Sequence, residues 1–246
     1  MTGTCEPGQA WPATGPTPYY ADDLVTLFHG DCLEVTEWLA ADVLVTDPPY
    51  GMGYKPTRGS SGSKRWGSEV VTGDNCAFDP SHLLVMPRAV LFGANWYADQ
   101  LPASGGWLVW DKTPRGEKAG FTASHAELAW TNVWSRVTTI RLQWGGEARN
   151  GEGHWHPTQK PVGLLRAIIE AVSSPSEIIA DPYAGSASTL IAAREAGRRA
   201  IGVEIEERYC EIAARRLAQG VLDLSSTPHH DANLATVSLT PMEEYP

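Results

Sequence analysis

Seven short apolar runs, at residues 24–28, 43–46, 89–92, 107–110, 137–142, 178–180 and 200–204, alternate with stretches of helical periodicity. This alternation constrains the fold more than any other feature, because strands separated by helices must pair side by side and bury their faces under those helices. The clearest helix is 162–172, where Val162, Leu165, Ile169 and Val172 share one face after Pro161. A second is expected at 188–196, closed by Gly197, and a third at 206–217, with Ile212 and Leu217 on its buried side. The chain of 246 residues therefore reads as one α/β domain over 21–222, with helices on both faces of a single sheet. Residues 1–20 and 223–246, rich in Pro, Gly and polar side chains, are expected to be loosely held tails.

Composition excludes several classes. No run of 18 apolar residues occurs, and the N-terminus lacks a basic stretch followed by an apolar one, so a soluble, cytoplasmic protein with no membrane association is expected. Cys5, Cys32, Cys76 and Cys210 have no metal-ligand spacing, so neither zinc nor a disulfide framework is expected. The net charge of −10 opposes nucleic acid. Its distribution softens that objection: residues 1–50 carry eight acidic side chains and no Lys or Arg, whereas 51–166 carry thirteen basic against nine acidic.

Asp47-Pro48-Pro49-Tyr50 closes the run at 43–46. Each proline fixes φ and lacks an N–H, so a carbonyl of this turn can face a cleft beside the Asp47 carboxylate and the Tyr50 ring. Together they could grip a flat ring that bears an amine; the plainer alternative is a rigid strand exit with a solvated acid. The basic, Gly- and Ser-rich residues 51–67 that follow form either a surface loop or a flap over Asp47.

A second site begins at 178–189, which reads as a strand, a tight turn around Gly185 and a helix start, with free backbone N–H groups for a ligand. About twenty residues on, Glu204 ends the next strand, where a carboxylate can accept ribose hydroxyls. The alternative is an ordinary crossover with a solvated Glu204. Without a G-x-G-x-x-G pattern, a nucleoside lacking pyrophosphate suits the turn better than a dinucleotide. S-adenosyl-L-methionine is such a molecule: Asp181 would face its ammonium and sulfonium end, Glu204 its ribose, and Asp31 its adenine amine. For Asp31 a helix-capping role competes, since Glu34 follows three residues later.

In this order, Asp47-Pro48-Pro49-Tyr50, then His156-Pro157-Thr158-Gln159-Lys160-Pro161, then Asp181-Pro182-Tyr183-Ala184-Gly185-Ser186, the chain resembles the permuted, β-group DNA amino-methyltransferases that act on adenine N6 or cytosine N4. Gly30-Asp31-Cys32, residues 92–96, Gly202-Val203-Glu204 and Tyr209 extend the similarity over residues 24–217. The resemblance implies a seven-stranded Rossmann-like sheet of order 3-2-1-4-5-7-6, last strand antiparallel, with the chain starting at the third strand. It assigns Asp47, Pro48, Pro49 and Tyr50 to catalysis. It assigns Asp31, Cys32, Thr158, Lys160, Asp181, Tyr183, Gly185, Ser186, Ala187, Ser188 and Glu204 to the cofactor. Two departures stand out. Ala187 occupies a position where the family usually has Gly, which is tolerable if the backbone there stays right-handed. Residues 113–155 leave little room for target recognition, so specificity would rest on short loops or a second copy of the chain, as in a homodimer.

The implied partner is double-stranded DNA, whose target base must be flipped out to reach a concave pocket and would stack on Tyr50. Lys55, Arg58, Lys64, Arg65, Lys112, Arg115 and Lys118 are the candidates for DNA contact. Trp107, Trp110, Trp130, Trp134 and Trp144 read instead as core packing. Adenine N6 is preferred to cytosine N4 because the motif leads with Asp; a catalytically degenerate binding subunit is the non-enzymatic alternative.

Overall fold

The computed structural model describes residues 15–53, 71–113, 124–142, 144, 155–156 and 158–222. One sheet of nine strands organises them, in the spatial order β1-β2-β9-β8-β3-β4-β6-β5-β7. The strands are β1 (Tyr20–Ala21), β2 (Val25–His29), β3 (Val43–Thr46), β4 (Ala89–Phe92), β5 (Trp107–Asp111), β6 (Ala126–Thr131), β7 (Val137–Arg141), β8 (Ile178–Asp181) and β9 (Arg199–Glu204). The helices are α1 (Val162–Val172), α2 (Ser188–Glu195) and α3 (Glu207–Leu222).

The central strands β2, β9, β8, β3 and β4 run parallel and are apolar on both faces. Alternation along each strand divides the core. Val43, Val45, Val90 and Phe92 face the layer that also contains α1, α2 and α3, whereas Leu44, Ala89 and Leu91 face a second layer with Trp38, Phe78, Leu83 and Tyr97. Helices were expected on both faces. Among the described residues the three α-helices share the first layer, and the second is closed by short 3-10 turns and loops, because the connections after β2 and β3 carry no long apolar periodicity.

The sheet differs from the seven-stranded expectation in two further ways. Residues 137–142, taken for the antiparallel strand, form instead the edge strand β7, parallel to β5. The antiparallel place between β4 and β5 belongs to β6, which the sequence did not reveal. Its residues Ala126-Glu127-Leu128-Ala129-Trp130-Thr131 have weak strand propensity and no alternating pattern; pairing on both sides holds them extended. At the other edge, Tyr20 and Ala21, on the boundary set for the N-terminal tail, pair with β2.

Helix α1 buries the predicted stripe together with Leu164 and Ile168. Gly197, at φ 72°, ends α2 as expected. Helix α3 runs further than 217, and its buried side is Tyr209, Cys210, Ala213 and Leu217, with Ile212 only at its margin. Trp110 and Trp130 are buried, each donating its indole N–H to a backbone carbonyl, of Leu142 and Pro102 respectively; Trp107, Trp134 and Trp144 pack at the core margins. Among the described residues no helix is long and apolar enough to cross a membrane.

Candidate active site

Strands β3 and β8 are parallel neighbours, with Val43 opposite Ile179 and Leu44 opposite Ala180, so the turns that follow them leave the same edge of the sheet. Open α/β sheets bind ligands at this edge. The Thr46 hydroxyl donates to Asp181 Oδ1 at 2.7 Å and ties the two strand ends together. One cleft is lined by Asp47, Pro48, Tyr50, Tyr183, Gly185 and Glu204, and an adjoining cavity shares Asp47 and Gly185 while adding Lys160, Asp181, Ser186 and Ser188. The double-proline turn and the glycine turn therefore share a rim.

The catalytic turn is held from outside its own sequence. Asp74 Oδ1 accepts the backbone N–H groups of Tyr50, Gly51 and Met52 at 3.0, 2.9 and 3.2 Å. Three converging N–H donors with one buried carboxylate form an anion nest that fixes the chain just after the prolines. The Tyr50 ring lies over Gly93, where an added Cβ would come within 2.0 Å of it, so the ring's seat requires glycine. Neither Asp74 nor Gly93 carries a local signal of this role; only the run at 92–96 drew attention to the second.

Around Asp47 the structure builds a buried ionic network. Tyr50 donates its hydroxyl to Asp47 Oδ1 at 2.5 Å, and Lys160 Nζ donates to Oδ2 at 2.5 Å and to the Tyr50 oxygen at 3.1 Å. Glu127 Oε2 lies 3.3 Å from Lys160 Nζ, and Lys112 Nζ donates to Glu127 Oε1 at 2.8 Å. Burial pushes the Asp47 carboxyl up, against the pull of Lys160 and Tyr50. Burial pushes Glu127 up as well, but the two lysines outweigh it and hold Glu127 below its ordinary range. Burial and the neighbouring Asp47 charge raise the Tyr50 phenol, so it stays a donor.

On the other side of the rim, burial lifts the Asp181 carboxyl to about 6 despite hydrogen bonds from Thr189, Thr46 and the Tyr183 N–H. Glu204 Oε2 accepts the Gly185 N–H at 2.7 Å and Oε1 the Glu206 N–H at 2.8 Å, and burial raises it to about 7. Gly185, at φ 51°, makes the sharp turn, and Ala187 follows at φ 67°. The condition set for Ala187, a backbone that stays right-handed, is therefore not met: it is the one non-glycine residue with positive φ among the described residues.

The predicted site residues divide accordingly. Asp47, Pro48, Pro49, Tyr50, Thr158, Lys160, Asp181, Tyr183, Gly185, Ser186, Ser188 and Glu204 line the joined cavities. Ala187 instead packs into the core. Asp31 closes its own turn by accepting the Leu33 N–H at 2.9 Å, while its carbonyl accepts Glu34 and Val35; Cys32 is buried with its carbonyl on the Trp38 indole. Neither lines these cavities. Lys160, assigned to the cofactor, spends its ammonium on Asp47. Lys112, assigned to DNA, is turned inward to Glu127. Lys55, Arg58, Lys64, Arg65, Arg115 and Lys118, and most of the proposed flap, lie outside the described residues.

An open, largely parallel α/β sheet with two acidic turns on one rim defines the class: a Rossmann-like fold with a ligand cleft at its strand ends. The DNA methylase family profile matches residues 109–215. The Escherichia coli (strain K12) protein named "Putative methylase YubD" is 32% identical over 207 residues, covering 77% of this chain and 88% of its own. The type II methyltransferase M2.LlaDCHI of Lactococcus lactis subsp. cremoris is 25% identical over 255 residues, covering 82% and 93%. Among solved structures, the PvuII DNA methyltransferase (cytosine-N4-specific) superposes with a TM-score of 0.55 at 16% identity, covering 82% of this chain and 89% of that one, which shows a shared fold. The chain belongs to the DNA methylase family and is a DNA amino-methyltransferase by descent.

Proposed function

We propose that the protein transfers a methyl group from S-adenosyl-L-methionine to the exocyclic N6 of an adenine flipped out of double-stranded DNA. The observation that carries this reading is the shared rim, where the Asp47 turn and the Asp181–Gly185 turn open into adjoining cavities. The acidic lining suits a cationic nucleoside: Asp181 for the charged end and Glu204, whose oxygens keep free lone pairs beyond their two N–H partners, for ribose hydroxyls. When bound, that cofactor supplies an already activated methyl, so no covalent nucleophile and no metal is called for.

The chain's own residues then handle the acceptor. Asp47 and the Pro48 carbonyl receive the amine hydrogens and aim the nitrogen lone pair for in-line attack. On taking the methyl group the nitrogen would become cationic, and its proton would leave late, to Asp47 or water. Tyr50 must release Asp47 Oδ1, or share it, to admit the amine. Binding to DNA by a chain of net charge −10 should weaken steeply with salt.

The leading Asp of the motif favours adenine; the shared fold with a cytosine-N4-specific enzyme does not select the base. Incubating unmethylated DNA with cofactor labelled in the methyl group, followed by nucleoside analysis, is expected to yield N6-methyl-2′-deoxyadenosine. N4-methylcytosine would overturn the choice of base. Labelled cofactor that binds without transfer to any DNA would favour the degenerate subunit. Asp47→Ala should abolish transfer with cofactor affinity kept.

A further inference from the structure

The network behind Asp47 asks for an explanation that stability does not supply. Lys160 is 5% exposed, and its ammonium lies 5.4 Å from the Phe92 ring centroid and 5.6 Å from that of Tyr50, among apolar neighbours. Ionic groups buried in this way are generally no more stabilising than apolar side chains of the same volume. A purely structural junction between β5, β6 and the segment before α1 could therefore be apolar. It is instead charged, and its charges balance: Asp47 and Glu127 against Lys160 and Lys112.

Resting on the methyl-transfer reading, we propose that Glu127 is a positioning residue for that reaction: together with Lys112 it holds the Lys160 ammonium behind Asp47 and keeps this quartet electrically neutral beside the acceptor nitrogen. The register supports the arrangement. Glu127 stands opposite Trp110 on β5, and Lys112, whose backbone N–H bonds the His125 carbonyl at 2.9 Å, follows two residues later, so both side chains reach the same strand end. Lys160 shares its charge between two carboxylates. Without Glu127 the whole of it would bear on Asp47 and weaken that carboxylate as an acceptor of amine hydrogens. The quartet would also keep one surplus positive charge where the nitrogen turns cationic, and in a site of low dielectric that charge opposes the transition state. The effect falls on the transfer step more than on binding, because transfer moves the positive charge from the sulfonium onto the amine nitrogen held by Asp47, next to the quartet.

The test compares the full-length wild type, Glu127→Gln and the double variant Glu127→Gln with Lys112→Gln, using S-adenosyl-L-methionine labelled in the methyl group and unmethylated genomic DNA. Single-turnover transfer by Glu127→Gln should be at least tenfold slower, with cofactor affinity and the DNA concentration for half-maximal rate each within threefold of wild type. The double variant, neutral again, should regain at least threefold of the lost rate. A single variant within threefold of wild type, a double variant as slow as the single one, or a loss carried by cofactor or DNA affinity would each overturn the proposal. If Glu127→Gln does not fold, the double variant decides alone: transfer within tenfold of wild type upholds the proposal, and complete loss overturns it. A wild type that methylates no DNA removes the underlying reading as well, which separates the two failures.

Discussion

Replacing Ala187 by Gly isolates the cost of the glycine turn's geometry. Ala187 sits at φ 67° and ψ 30°, fully buried, immediately before α2. An L-residue in the left-handed region pays about 1–2 kcal/mol, which Gly does not. Against that gain, the substitution removes a buried methyl, about 0.8 kcal/mol, and adds unfolded-chain entropy, about 0.4–1 kcal/mol. The three terms leave Ala187→Gly within about 1 kcal/mol of wild type. Ala192, equally buried but inside α2, offers the control. There Gly loses the methyl and about 1 kcal/mol of helix propensity with nothing relieved, so Ala192→Gly should cost about 2 kcal/mol. Urea denaturation of the three proteins, at constant slope, reads the difference directly. A loss for Ala187→Gly as large as that for Ala192→Gly would refute the idea that this turn is strained.

Asp74→Ala strips one acceptor from three backbone donors and should cost about 2–3 kcal/mol, slow methyl transfer and spare cofactor affinity; calorimetry and single-turnover rates distinguish the two effects. Gly93→Ala should displace the Tyr50 ring and slow transfer at least tenfold, and a rate equal to wild type would contradict the seat described for that ring. The Glu204 carboxyl, raised by burial to about 7, ionises only near neutrality, so cofactor affinity should rise from pH 6 to 8 by calorimetry, and Glu204→Gln should flatten the upper part of that rise while Asp181, at about 6, keeps the lower part. The same raised values give the opposite slope for the ligand-free fold. Glu204 at about 7 and Asp181 at about 6 hold protons more tightly folded than unfolded, so their contribution to stability is fully present at low pH and falls as pH rises through those values.

Where chemistry follows from neighbours along the chain, the sequence was sufficient. The runs at 43–46 and 178–180, the prolines after one and Gly185 after the other, and the α1 stripe are local patterns, and each turned up at its expected place. From parallel pairing of those two runs, which the motif order implied, the shared rim follows. Tertiary structure alone decided the rest. Strand β6 lacks any local signature, and so Glu127 carried none; its ion pair with Lys160 joins residues 127 and 160 only after the sheet has assembled. Lys160 and Lys112 were read by motif and by charge, as ligands for a cofactor and for DNA, yet the nearest carboxylate in space claimed each of them. Asp74 clamps a turn more than twenty residues earlier in the chain. The division has one physical cause: backbone geometry and apolar periodicity act over a few residues, whereas an ammonium withdrawn from water must take whichever anion the finished fold brings within reach.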